Sequence, residues 1–175
     1  MSVIDETLKA NETYARDFKM SHLAMPPARK LAIVACMDAR LSVEQILGLK
    51  TGEAHIIRNA GGILTEDALR SLVISHHLLG TQEFMFIHHT DCGMLTFKDD
   101  ELSAKLRETC GTAAVVPSRF HAFSNLEDDV RQQIEKARAH PWIPKGVTLR
   151  GFIYDVKSGR LTEVKQAAKT VGRPG

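Results

Sequence analysis

Apolar positions along the chain follow two rhythms, and the change from one to the other predicts its elements. Ile4, Leu8, Ala15 and Phe18 fall roughly on one helical face, which predicts an amphipathic helix in the first twenty residues, ending before Met25-Pro26-Pro27. Leu31 to Cys36 is instead a continuous apolar run of strand length, the pattern of a central strand covered on both faces. Ser42 and Gln45 have capping-box spacing, predicting a short helix over Val43 to Leu47 that stops at Gly48. His55 to Asn59 reads as a second strand, and Ala60-Gly61-Gly62 supplies the backbone freedom of a tight turn. Thr65 caps the next helix, Glu66 and Asp67 suit its positive first turn, Leu69, Leu72, Val73 and His76 make its stripe, and Gly80 ends it. Phe84 to Ile87 is a third apolar strand, delivering His88 and His89 at its C-terminal end, with Cys92 three residues beyond.

Past Phe97 the rhythm weakens, to a short helix and then a long loop over Thr109 to Ser124, for which the sequence supports no site assignment. Asn125 caps a helix in which Leu126, Val130, Ile134 and Ala137 recur at helical spacing, closed by Pro141 and Pro144. Thr148 to Val156 and Leu161 to Val164, joined by Ser158-Gly159, predict a strand and hairpin. Strands alternating with helices predict an α/β fold with a largely parallel sheet. Without an internal repeat or a separating linker, the expectation is one domain over residues 1–165. Residues 1–25 form its N-terminal helical arm, and residues 166–175 are expected to be a flexible tail.

Composition narrows the function classes. The chain has 175 residues, 43% hydrophobic and 25% charged, an ordinary globular balance that needs no disulfide scaffold. Lys+Arg 23 against Asp+Glu 21 gives a net charge of +2 with the basic residues scattered, so neither nucleic acid nor an acidic membrane is an expected partner. No apolar run approaches the roughly 20 residues that span a bilayer. Acidic residues occupy the N-terminus where an export signal is basic, and the cysteines, Cys36, Cys92 and Cys110, are odd in number, so a reducing cytoplasm is expected. No Gly-rich phosphate loop is present.

Open α/β sheets place their sites outside the carboxyl ends of their strands, where Cys36 and His89 both sit. Cys36-x-Asp38-x-Arg40 puts a soft thiolate, a carboxylate and a guanidinium on one turn. Alone it reads as well as a packed cysteine beside a surface ion pair, and His89-x-x-Cys92 alone reads as well as packing. Together they offer two thiolates and one imidazole, and three protein ligands with one open position are what catalytic zinc requires. Asp38 either fills the fourth position or turns to Arg40 and leaves it to water.

The segments Ala35-Cys36-Met37-Asp38-Ala39-Arg40-Leu41, Arg58-Asn59-Ala60-Gly61 and His89-Thr90-Asp91-Cys92-Gly93-Met94, in that order, resemble the β-class carbonic anhydrases. The compact length and the HTDCGM form are similar to the small bacterial and archaeal branch. The resemblance implies a central mixed, mainly parallel β-sheet flanked by helices. It further implies an obligate homodimer or higher even oligomer, with active sites near the subunit interface and the N-terminal helix packed on the partner.

The same resemblance makes Cys36, His89 and Cys92 ligands of one Zn2+ per chain, with Asp38 and Arg40 as a dyad beside the open position and Asp38 as the alternative fourth ligand. Arg58, Asn59, Ala60, Gly61 and Gly93 take supporting places. The implied reaction is reversible hydration of carbon dioxide to bicarbonate and a proton, by zinc-bound hydroxide that Asp38 orients and Arg40 keeps ionised. Ala39 stands where many relatives carry serine, so any hydrogen bond from that hydroxyl is missing. Two other readings use the same residues: a permanently closed structural or regulatory zinc site, and a hydrolase of carbon disulfide or carbonyl sulfide. Cys110 matches none of these segments, and His55, His76 and His77 read as packing more than as proton carriers.

Overall fold

The computed structural model describes residues 2–112 and 117–165; the tail expected from Gln166 onward lies outside the described residues. Five strands form one sheet in the order β2-β1-β3-β4-β5, with β1 at Leu31–Cys36, β2 at Ala54–Asn59, β3 at Glu83–His89, β4 at Thr148–Tyr154 and β5 at Leu161–Glu163. The first four are parallel and β5 returns antiparallel to β4, so the sheet is mixed and mainly parallel as expected. The helices are α1 (Val3–Arg16), α2 (Val43–Leu47), α3 (Glu66–Leu79), α4 (Asp99–Cys110) and α5 (Leu126–Ala139). Among the described residues no helix is long and apolar enough to cross a membrane.

Strand alternation divides the core. Ala32, Val34, Phe84 and Phe86 face α3 and α5, meeting Leu64, Ala68, Leu72, Val130, Ile134 and Ala137. Ile33, Ala35 and Ile87 face the other way, where the one buried helix residue is Val43 of the short α2. α5 lies close on β4 because Gly151 has no side chain: a Cβ there would stand 2.2 Å from Val130 Cγ1. α1 buries none of its residues, although it carries a full capping box between Ser2 and Asp5. A 14-residue helix is marginal in water without a surface to pack on.

Three expectations need correction. Ser42 makes no capping hydrogen bond, so α2 rests on its buried Val43 and on Gly48, which ends it at φ +64°. The first helix stops at Arg16, leaving Phe18 outside it. The short helix expected after Phe97 is α4, 12 residues long, which runs into the expected loop as far as Cys110 and leaves that thiol exposed.

Candidate metal centre

The order β2-β1-β3 reverses direction between β1 and β3, which makes the carboxyl ends of these two strands a topological switch point, the usual crevice for a ligand in an open α/β sheet. Cys36 is the last residue of β1 and His89 the last of β3. Asp91, at φ +56°, turns the chain back so that Cys92 returns to them. The ligand atoms of Cys36, His89 and Cys92 all lie within 4.8 Å of one another, and all three residues are buried.

Four features of this cluster fit zinc. Donors around a tetrahedral zinc stand roughly 3.3–3.8 Å apart, given bonds of about 2.0–2.3 Å, so three donors within 4.8 Å of one another need only a small inward movement to share one ion. His89 Nδ1 donates to the Thr90 carbonyl at 2.9 Å, which fixes the ring and turns Nε2 inward. Nε2 is buried and has no hydrogen-bond partner, the state of an imidazole nitrogen shaped to coordinate. A hydrogen bond from Cys92 pulls the Cys36 thiol down to about 4 against the opposing effect of burial, while the same contact pushes Cys92 up. Burial disfavours charge on the His89 ring, and the neighbouring Cys36 sulfur outweighs it, so its pKa is raised. The cluster thus favours one thiolate and keeps the second sulfur protonated, and a soft divalent cation would let both sulfurs carry charge.

Asp38 stands at the edge of the cluster and does not join it. Arg40 donates Nε to Asp38 Oδ1 at 2.9 Å and Nη2 to Oδ2 at 2.7 Å, a bidentate pair, and the Arg40 backbone N–H adds a bond to Oδ1 at 2.9 Å. Those bonds hold Asp38 well below the usual carboxylate range. Its Oδ2 lies 3.7 Å from His89 Nε2, close enough to reach the cluster if Arg40 let go.

The remaining sequence candidates brace this centre. Arg58 reaches across from β2 and donates Nε to the Cys36 carbonyl at 3.0 Å and Nη2 to the Asp38 carbonyl at 2.6 Å, so the guanidinium fixes the turn from Cys36 to Asp38. Asn59 accepts from Met37 N through its own carbonyl at 2.9 Å. Its side-chain amide also brackets Ile63, at 2.7 and 2.8 Å. Ala60–Gly62 is a single 3-10 turn, kinked at Gly61. Gly62, at φ +70°, passes so close that a Cβ would stand 3.0 Å from the backbones of both β1 and β3. Gly93 opens the turn after Cys92.

The structure separates His88 from the cluster: it points to the opposite face, where its Nε2 meets Asp129 Oδ2 of α5 at 2.6 Å. His55, His76 and His77 bond to Ser75, the Thr81 carbonyl and the Trp142 carbonyl, away from the carboxyl ends of the strands. Two residues escaped the sequence reading. Asp91 holds the outer edge of Arg40, with Nη1 to Oδ2 at 2.8 Å and Nη2 to its carbonyl at 3.0 Å; its place between the candidate ligands His89 and Cys92 was the available signal. Phe123, in the stretch for which the sequence supports no site assignment, packs against Cys36, Cys92 and Met94. No local signal marks it, because it is held by Asp99, whose carboxylate accepts the backbone N–H groups of Phe120, His121 and Ala122 at 2.8–3.1 Å.

Comparison with known proteins gives a consistent answer. A family model described as carbonic anhydrase matches residues 31–161. The chain is 47% identical over 164 residues to Beta-carbonic anhydrase 1 of Mycobacterium tuberculosis, covering 94% of this chain and 99% of that one. It is 37% identical to the carbon disulfide hydrolase of Acidianus sp., covering 93% of this chain and 89% of that one. The crystal structure of the carbonic anhydrase of Streptococcus mutans matches with a TM-score of 0.89 at 44% identity, covering 94% and 99% of the two chains. Since the matched stretch takes in every residue of the Cys36, His89 and Cys92 cluster with its Asp38 and Arg40 neighbours, the chain belongs to the β-carbonic anhydrase family.

Proposed function

We propose that this chain catalyses the reversible hydration of carbon dioxide to bicarbonate and a proton, as a carbonate dehydratase holding one zinc ion on Cys36, His89 and Cys92. The observation that carries this reading is the convergence of three buried soft donors beside a carboxylate that is turned to Arg40 instead of into the cluster. Zinc bound there supplies the Lewis acidity that makes water nucleophilic near neutral pH.

The chain's own residues do the rest. Asp38, kept ionised by Arg40, accepts a hydrogen bond from the nucleophile, which holds that proton at its Oδ2 and aims the free lone pair at the substrate carbon. Leu41, Met94 and Phe123 line the surroundings with apolar atoms, which suits a small uncharged substrate and limits bulk water. If Asp38 leaves Arg40 for the fourth metal position the site is closed, so the Arg40 contact sets the balance between an active and a resting arrangement.

The assembly belongs to the same proposal: a homodimer or higher even oligomer. It is supported by an α1 with no buried residue, by Ile4 and Leu8 exposed on it, and by β2 as an edge strand of the sheet. The buried free thiols Cys36 and Cys92 suit the reducing cytoplasm. Residues 1–165 act as one catalytic domain, with residues 1–25 as its arm. Carbon disulfide is the second substrate to test, because relatives named for its hydrolysis match this chain at 34–37% identity, below the 47% of the carbonic anhydrase relative.

The test is stopped-flow carbon dioxide hydration on protein of measured zinc content, near neutral pH and again above about pH 8, alongside carbon disulfide consumption. We expect hydration proportional to zinc and rising with pH. Fully zinc-loaded protein that consumes carbon disulfide and leaves carbon dioxide untouched would transfer the assignment to the hydrolase, and inertness toward both would leave a closed structural zinc site.

A further inference from the structure

The Arg40 guanidinium is gripped along two edges by residues from two different loops. Its inner edge, Nε and one Nη2 hydrogen, serves Asp38 at 2.9 and 2.7 Å. Its outer edge, Nη1 and the other Nη2 hydrogen, serves the carboxylate and carbonyl of Asp91 at 2.8 and 3.0 Å. Asp38 lies two residues from Arg40 on the same turn, whereas Asp91 lies 51 residues away, between the ligands His89 and Cys92. We propose that Asp91 is a positioning residue for the dyad: it anchors the outer edge of Arg40 so that Arg40 keeps Asp38 turned away from the metal position. The inference rests on the proposed alternation of Asp38 between Arg40 and the metal.

Two considerations set its direction. Asp38 and Asp91 take different N–H groups of the planar fork, so Asp91 does not compete with Asp38 for donors. A second carboxylate also draws positive charge away from Asp38, but the Asp91 side chain is 73% exposed and its field is screened by water and salt, while its geometric hold remains. The Arg40 side chain is itself 47% exposed. Without Asp91 it depends on a partner within its own turn, and the plane of the guanidinium is free to swing with that turn. The backbone explains why an acidic residue suits the position, since Asp91 has φ +56°, a conformation that Asp and Asn tolerate and most residues do not.

The experiment compares Asp91→Asn, Asp91→Ala, Asp91→Glu and Arg40→Ala with the parent protein, each loaded with cobalt and read at one fixed pH. The visible absorption of cobalt reports the share of sites in which an Asp38 oxygen is bound, and metal content, kcat and KM are measured on the zinc forms. Asp91→Asn keeps a residue that accepts positive φ and removes the charge. Asp91→Asn and Asp91→Ala should raise the ratio of Asp38-bound to Asp38-free sites about two- to five-fold, the scale of an exposed ion pair, with metal content unchanged. The loss should appear in kcat and not in KM, and Asp91→Glu should recover part of it. A parent-like spectrum and kcat in both Asp91→Asn and Asp91→Ala, while Arg40→Ala closes the site, overturns the role of Asp91 and spares the dyad. Loss of metal from Asp91→Asn also overturns it, by making the residue a prop of the ligand turn. Arg40→Ala with unchanged coordination overturns the alternation itself and this inference with it.

Discussion

Replacing sulfur by oxygen at Cys36 or Cys92 leaves the side chain's size nearly intact and removes the soft donor, which makes it the sharpest probe of the cluster. Cys36→Ser, Cys92→Ser and His89→Ala should each lose zinc on dialysis at neutral pH, as read by elemental analysis; a full equivalent retained by any of them removes that residue from the ligand set. Asp38→Ala should behave in the opposite way, keeping zinc while turnover falls about 10–100-fold, the range usual for a residue that orients a metal site from outside its ligands. Equal activity in Asp38→Ala would end the orienting role. These residues were legible in the sequence because Cys36 with Asp38, and His89 with Cys92, each fall within one short turn at the end of an apolar run, where chemistry and strand end coincide. Arg58 was placed among the supporting residues, but its grip on the Cys36 and Asp38 carbonyls depends on the pairing of β2 with β1, which no spacing in the chain encodes.

At the scale of elements, glycines record where backbones approach one another. Gly48 and Gly62 both have positive φ, but a Cβ on Gly48 meets nothing within 4 Å whereas one on Gly62 meets the backbones of β1 and β3. Gly48→Ala should therefore cost about 1 kcal/mol for its conformation alone. Gly62→Ala should cost more, on the order of 2–4 kcal/mol, because backbone in two central strands cannot step aside as a side chain does. Urea unfolding of the two variants checks the order, and equal losses would show that the turn relaxes freely. The helices α3 and α5 were readable because one face of each is buried against the sheet, and β1 and β3 because both of their faces are covered. Ser42 failed as a cap because burial of Val43 and the left-handed Gly48 suffice for a five-residue helix. α4 was under-read because it buries no residue, so no apolar stripe announced it.

For the whole molecule, ionisation gives a signed expectation. Arg40 holds Asp38 and Asp91 below the ordinary carboxylate pKa. Burial opposes the same shift at Asp99, and three backbone N–H groups outweigh it. Each group is more acidic folded than unfolded, so its contribution is complete above the unfolded pKa, about 3.9, and disappears as pH falls through the lower folded value. The gap in melting temperature between the metal-free parent and its Asp99→Asn variant, which isolates one of these carboxylates from the thiols, should be constant above about pH 5 and shrink steeply below about pH 4. A gap that stays level through that interval would mean the Asp99 bonds persist, equally strong, in the unfolded chain.

One contact ties this chemistry to the edge of the sheet. The Arg58 fork that secures the Cys36–Asp38 turn is rooted in β2, one of the two edge strands, whose free rim is where the proposed second copy would seat. Subunit concentration and turnover then become linked quantities: diluting the enzyme below its dissociation constant should lower the rate per subunit, and adding protein back should restore it. A specific rate that holds constant through dissociation, followed by sedimentation at matched concentrations, would mean that each chain keeps its turn rigid unaided.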